Sequence, residues 1–214
     1  MRMKSESEYS RDALIDRMGT YGISDTMKGY FRKCIEFHTY PAPGMLIGVF
    51  MVDYALDLLR MKPGDKLFVT CETEKCLPDP PQVILRTTIG NHRLRIVPIG
   101  KFAMSFTPLS KEDPAKGVRV YLDKMKMKQY PALNSWYENS PSFDPDTQKK
   151  PLADEILSAG RKILSYETIT MKVSPKRKWK SVTCSICGDT VPDYLAKDGK
   201  CLGCGSDRYY EKAG

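Results

Sequence analysis

Two groups of residues carry side chains that can do chemistry. Near the C-terminal end, Cys184-Ser-Ile-Cys187-Gly is followed, after thirteen residues, by Cys201-Leu-Gly-Cys204-Gly. Four thiolates in two pairs with a two-residue gap make a tetrahedral shell for one zinc ion. The glycine after each pair lets the chain turn so that backbone amides can point back at the sulfurs. Such a shell is closed and leaves no position for substrate, so the expected role is structural. The second group is sparser. His38 stands before Pro41-Ala-Pro43-Gly44 and a long apolar run, and Cys76 lies in the polar stretch Glu72–Asp79, just ahead of a helix start. A helix dipole favours a thiolate at that position. Cys76 is therefore the candidate nucleophile and His38 its candidate acid or base. A helix mouth beside His38 could also offer backbone amides to a small anion.

These side chains need elements to hold them. Helical spacing appears over residues 10–18 and again over 26–37, where Met27, Tyr30, Phe31, Cys34, Ile35 and Phe37 recur near the 3.6-residue period. Pro41 and Pro43 force an extended turn. Gly44 to Arg60 then reads as a central helix, apolar on nearly all sides, with Asp53, Asp57 and Arg60 marking its wetter face. Pro63-Gly64-Asp65 is a turn, and Lys66–Cys71 is a strand with Leu67, Val69 and Cys71 on one face. Asp79 reads as the cap of the next helix, with Pro80 at its first position. Strands are expected over 93–97, 101–107 and 118–123, a mixed Pro-rich stretch over 124–145, and a helix over 152–166. Cys34 and Cys71 fall on apolar faces and read as core. His92, in the turn 90–93, reads as exposed.

The predicted fold is α+β, helices packed on a mixed or antiparallel sheet, with a small C-terminal zinc ribbon or treble clef. Residues 1–168 form the core domain, 169–180 a basic linker and 181–214 the four-cysteine module, which is too short to build a core without a metal staple. The chain has 214 residues and a net charge of +8, and the ten residues 171–180 hold five basic side chains and no acid. That segment, with Trp179 and the tail Arg208-Tyr209-Tyr210, is either a solvated linker packing on protein or a nucleic-acid surface of cations and stacking rings. Seven cysteines, four of them clustered, suit metal binding in a reducing compartment better than disulfides. No apolar run is long enough to span a bilayer, and the N-terminal stretch has no signal-peptide pattern. The expected location is cytoplasmic.

Several motifs then fall into a known order. Phe37-His38-Thr39-Tyr40-Pro41-Ala42-Pro43-Gly44 matches a Phe-His-Gly-His-Leu-Cys-Pro-Gly segment before an apolar helix. Glu72, Cys76, Asp79 and Gln82 match a Glu ahead of a Cys-x-x-Asp-x-x-Gln run. Residues 85–90 match a Thr-Gly-Cys-Thr-x-Gly segment, and Gly100, Lys101, Ala103 and Phe106 match a Gly-Lys-x-Ala-x-x-Phe strand. Over about residues 30–110 the chain resembles the FmdE family of formylmethanofuran dehydrogenase, α+β proteins of archaea and bacteria. The resemblance implies a metal-capable pocket of His and Cys side chains at the helix mouth, and a homodimer. It also implies a link to the molybdenum or tungsten formylmethanofuran dehydrogenase of methanogenesis and, as in some members, a C-terminal four-cysteine zinc finger. This chain departs from the pattern at Tyr40, Ala42 and Thr87, where the family carries histidine, cysteine and cysteine. His38 and Cys76 are left as soft ligands, with Tyr40, Glu72, Asp79 and Thr87 as harder ones, so a second, core metal is not expected. The reading is a metal-binding accessory protein with one structural zinc at Cys184, Cys187, Cys201 and Cys204. The alternatives are an enzyme using Cys76 and His38, and a nucleic-acid-binding protein acting through residues 171–214.

Overall fold

A computed structural model describes residues 11–109, 115–172, 178–205, 208, 210 and 211. The chain divides into two compact units, 1–175 and 176–214. The middle of the basic segment, 173–177, and Tyr209 lie outside the described residues.

In the first unit a short helix α1 (Arg11–Arg17) is followed by a 3-10 turn that ends at Gly22, whose φ of 70° needs glycine's freedom. Helix α2 (Asp25–His38) starts where Ser24 accepts from the Met27 amide at 3.3 Å. Its buried stripe is Met27, Phe31, Cys34 and Ile35, so Cys34 is core, as its spacing predicts. Thr39 (φ 75°) breaks the helix, and Pro43 sets the first turn of α3 (Pro43–Leu59). Ten consecutive residues near its start, Gly44 to Asp53, contain nine that are buried, because α3 is wrapped by α2, α7 and strands β3 and β4, introduced below. Its wetter face is used: Arg161 bonds Asp53 at 2.7 Å and Asp57 at 2.9 Å.

Strand β1 (Leu67–Cys71) alternates as predicted, with Leu67, Val69 and Cys71 buried. A crossover through α4 (Asp79–Leu85) returns the chain to β2 (Leu94–Ile96), parallel to β1. Strands β3 (Ala103–Pro108), β4 (Lys116–Leu122) and β5 (Leu164–Thr170) add antiparallel neighbours, giving the order β2-β1-β3-β4-β5. Between β4 and β5 lie α5 (Lys124–Met127), α6 (Pro131–Tyr137) and α7 (Pro145–Ala159). The architecture is therefore α+β, seven helices among the described residues on a mixed sheet. Two boundaries differ from expectation. Helix α7 begins at Pro145, where Asp144 accepts from the Asp146 amide at 3.0 Å, and runs through Pro151. It stops at Gly160, and residues 164–166 belong to β5, not to a helix.

The second unit has two short hairpins, β6 (Ser181–Thr183) with β7 (Thr190–Pro192) and β8 (Ala196–Lys197) with β9 (Lys200–Cys201). No α-helix follows Cys204 among the described residues, and the arrangement is compatible with a zinc ribbon. No helix of the described residues is long and apolar enough to cross a membrane.

Candidate metal centre and core pocket

The first cysteine pair sits at the end of the β6–β7 hairpin. The Cys184 amide bonds the Asp189 carbonyl and the Gly188 amide bonds the Cys184 carbonyl, closing a tight knuckle. Gly188 takes φ 77°, the turn its residue type allows. Gly205 does not use that freedom; its φ is −100°. The second pair follows β9, and the Ser185 amide reaches the Gly199 carbonyl at 2.9 Å, tying one knuckle to the turn before the other. The ligand atoms of Cys184, Cys187, Cys201 and Cys204 all lie within 4.8 Å of one another.

Amides point at sulfur as the glycine spacing predicts. Ile186 N–H and Cys201 N–H donate to Cys184 Sγ at 3.4 and 3.3 Å. Backbone donors from Cys187, Cys201 and Ile186 lower the Cys184 thiol to about 6. At Cys187 the Asp189 amide acts in the same direction, but Cys184, burial and the other two sulfurs outweigh it and raise the thiol to about 12. One thiolate is thus favoured and the next is opposed by its neighbours. Four sulfurs at this separation ionise together around a cation, which deprotonates coordinating thiols outright. The donor set therefore fits a metal ion.

The core pocket is different. His38 closes α2, and its Nδ1 meets Asp79 Oδ2 at 2.5 Å across 41 residues. Asp79 is not the helix cap that its place in the sequence suggests. It lies inside the first turn of α4, the capping position is Pro78, and no side chain caps the helix. The carboxylate is drawn to the imidazole instead. Spacing alone carries no signal for this pairing, which only the fold brings about. Cys76 is half-buried beside them: the Asp79 amide bonds its carbonyl at 3.4 Å, and a Cβ on Gly44 would stand 3.4 Å from its Cβ. Cys76 thus packs on the first turn of α3. Burial, then the Asp79 carboxylate, push its thiol up, opposite to the depressed value expected ahead of a helix. Cys34 and Cys71, also within reach of that carboxylate, are raised to about 12, chiefly by burial.

The remaining candidate ligands are committed elsewhere. Glu72 accepts two bonds from Arg119, at 2.5 and 2.8 Å. The Thr87 hydroxyl donates to the Pro81 carbonyl at 2.9 Å. Tyr40 faces outward, 55% exposed, with its ring centroid 4.8 Å from that of His38. Nε2 of His38 is buried and has no hydrogen-bond partner, so Cys76 and His38 flank the same carboxylate without bonding to each other. Among the described residues, the four cysteines are the one group of three or more His, Cys, Asp or Glu ligands that close together. The core residues do not fit a transition-metal shell, which needs at least three protein ligands. Of the residues read as a nucleic-acid surface, Trp179 is exposed, with Lys178 and Lys180 on either side, and Arg208 lies over the Tyr210 ring at 5.8 Å.

Comparisons with known proteins place this geometry. The family model described as "FmdE, Molybdenum formylmethanofuran dehydrogenase operon" matches residues 37–171, which takes in His38, Cys76 and Asp79 and ends before the four cysteines. A solved structure, that of an FmdE-like protein of tungsten formylmethanofuran dehydrogenase from Syntrophus aciditrophicus, is similar at 34% identity and a TM-score of 0.69. The match covers 86% of this chain and 95% of that one. A probable S-adenosyl-L-methionine-binding protein of Archaeoglobus fulgidus is 25% identical over 194 residues, 81% of this chain and 52% of the relative. The chain spans about half the length of that curated relative.

Proposed function

The chain belongs to the FmdE family, and from that premise we propose that it is an accessory, non-catalytic protein carrying one structural zinc ion. Its ligands are Cys184, Cys187, Cys201 and Cys204. The observation that carries the reading is the closed set of four sulfurs, with amide donors turned toward Cys184. Such a set occupies every tetrahedral position and gives folding energy, not a reaction site. The family description, "Molybdenum formylmethanofuran dehydrogenase operon", supports a protein partner in a molybdenum or tungsten enzyme system, with this chain acting there as a homodimer in the cytoplasm.

Metal analysis of the purified protein tests the central claim. One zinc per chain is expected, falling to near zero in Cys187→Ser and in Cys201→Ser. A second tightly held metal, or iron in place of zinc, overturns it. Sedimentation tests the homodimer, and co-purification with the components of formylmethanofuran dehydrogenase tests the partner.

A further inference from the structure

The least explained polar atom of the main unit is Nε2 of His38. The other ring nitrogen is fixed: Nδ1 meets the Asp79 carboxylate at 2.5 Å. A carboxylate only accepts, so the proton of that bond sits on Nδ1, and the neutral ring presents Nε2 as a bare acceptor. Nε2 is buried and unpartnered. Leaving a buried acceptor unmade costs roughly 1–3 kcal/mol, a cost that makes sense where a ligand meets the atom.

The surroundings leave room for a small molecule and not for a metal shell. Gly44, on the first turn of α3, has no side chain where a Cβ would stand 3.2 Å from the Phe102 ring and 3.4 Å from Cys76 Cβ. No side chain caps α3, and Pro43 at its start has no N–H. Tyr40, beside the imidazole, is exposed and marks the solvent side. Glu72 and Thr87 are held by Arg119 and Pro81, so no three-ligand set forms around Nε2.

We propose that this pocket is a proton-accepting site for a small protic organic ligand, an alcohol or a thiol, and not a transition-metal site, with Asp79 as the residue that positions His38. In that site the ligand's O–H or S–H bond breaks, its electron pair stays on the ligand oxygen or sulfur, and the proton bonds to Nε2. The resulting imidazolium is held against the Asp79 carboxylate. The inference goes beyond the proposed accessory role and is independent of the zinc module.

The chain has two histidines, His38 and His92, so nitrogen NMR of the rings reads the site directly in the full-length, zinc-loaded protein. His92→Gln assigns the signals. The neutral His38 ring is expected with the proton on Nδ1 and Nε2 bare, and Asp79→Ala is expected to shift it toward the Nε2–H form. Trifluoroethanol, as a protic probe, should move the His38 Nε2 resonance saturably. A proton on Nε2 in the unaltered protein overturns the proposal even if Asp79→Ala fails to fold, and so does an absent probe response. Cobalt(II) added after the four cysteines are filled with zinc supplies the other arm: no further thiolate–cobalt absorption is expected. A second stoichiometric cobalt whose absorption disappears in His38→Gln would show a metal site instead. Loss of zinc from the cysteines fails the accessory reading alone and leaves this one standing.

Discussion

At the scale of single residues, the main unit spends its acids on fixed partners. Glu72 and Arg119 form a two-pronged pair whose side chains are 10% and 18% exposed. Glu167 at 3.5 Å and the Tyr121 ring at 5.2 Å complete the surroundings of Arg119. Removing one member of such a pair strands the other charge, whereas replacing both with apolar groups of similar size does not. Arg119→Met is therefore expected to cost about 3 kcal/mol in urea unfolding, and Glu72→Leu with Arg119→Met much less; equal losses in both would show that the pair is not coupled. Asp123 gives a pH-dependent case. It accepts from the Ser165 hydroxyl at 2.6 Å and from the Met125 and Lys126 amides, which hold its carboxyl below the ordinary 3.8. A depressed folded pKa contributes stability above the unfolded value and loses it as pH falls through the folded one. Asp123→Ala should thus lower stability by about 1 kcal/mol at neutral pH. The gap should close below pH 3.8; a gap of constant size in urea melts across that range would contradict the cap. His38 and Asp79 belong to the same scale, and their pairing depends on how α2, α3 and α4 meet.

At the scale of elements, that meeting is set by a close approach. A methyl at Gly48 in α3 would stand 2.8 Å from Pro80 Cγ and 3.2 Å from Leu77 Cδ1, the residues that carry α4 and Asp79 into place. Alanine favours a helix over glycine by about 1 kcal/mol, but overpacking costs about 1–3 kcal/mol. Gly48→Ala is expected to lower the melting temperature and to weaken the Asp79 contact to His38; a rise in melting temperature would mean that helix propensity wins. The stronger elements were legible because burial imposes a period. The apolar sequence from Gly44 to Val52 can only be interior, and β1 alternates so cleanly that its buried face reads off directly. The failures have equally local causes. Strand β5 is an edge whose residues past Leu164 are mostly exposed, so it has no apolar alternation to detect. Helix α7 runs through Pro151, a residue that normally ends a helix. Helices α5 and α6 are short, and their starts depend on Asp123 and Pro131 and not on a periodic face. The four-cysteine spacing was readable because ligation demands it. The Asp79–His38 contact was not, since residues 41 positions apart meet only through tertiary structure.

At the scale of the whole molecule, the two units are held together by different physics. Residues 11–172 enclose an apolar core built on Phe31, Leu46, Met51, Phe106 and their neighbours, enough to fold without a metal. In the second unit, Cys184 is the one buried residue among those described. Its large apolar side chains, Trp179, Ile186, Tyr194 and Leu195, are exposed, and its hairpins are two and three residues long. No hydrophobic term of useful size is available there, so the cation takes the place of a core. Structural zinc binding contributes roughly 10–16 kcal/mol in small cysteine domains, far more than hairpins of this length supply. Chelation under reducing conditions should then act on one unit and not the other. Amide exchange in residues 178–205 should become as fast as in an unfolded chain, while β1, β3 and α3 keep their protection and the main thermal transition stays within a few degrees. Hydrogen-exchange mass spectrometry of the zinc-loaded and metal-free protein measures both. Protection that persists at Cys184–Cys204 without metal would mean that the hairpins fold on their own, and exchange that rises in α3 as well would mean that the cation stabilises the molecule as one cooperative body.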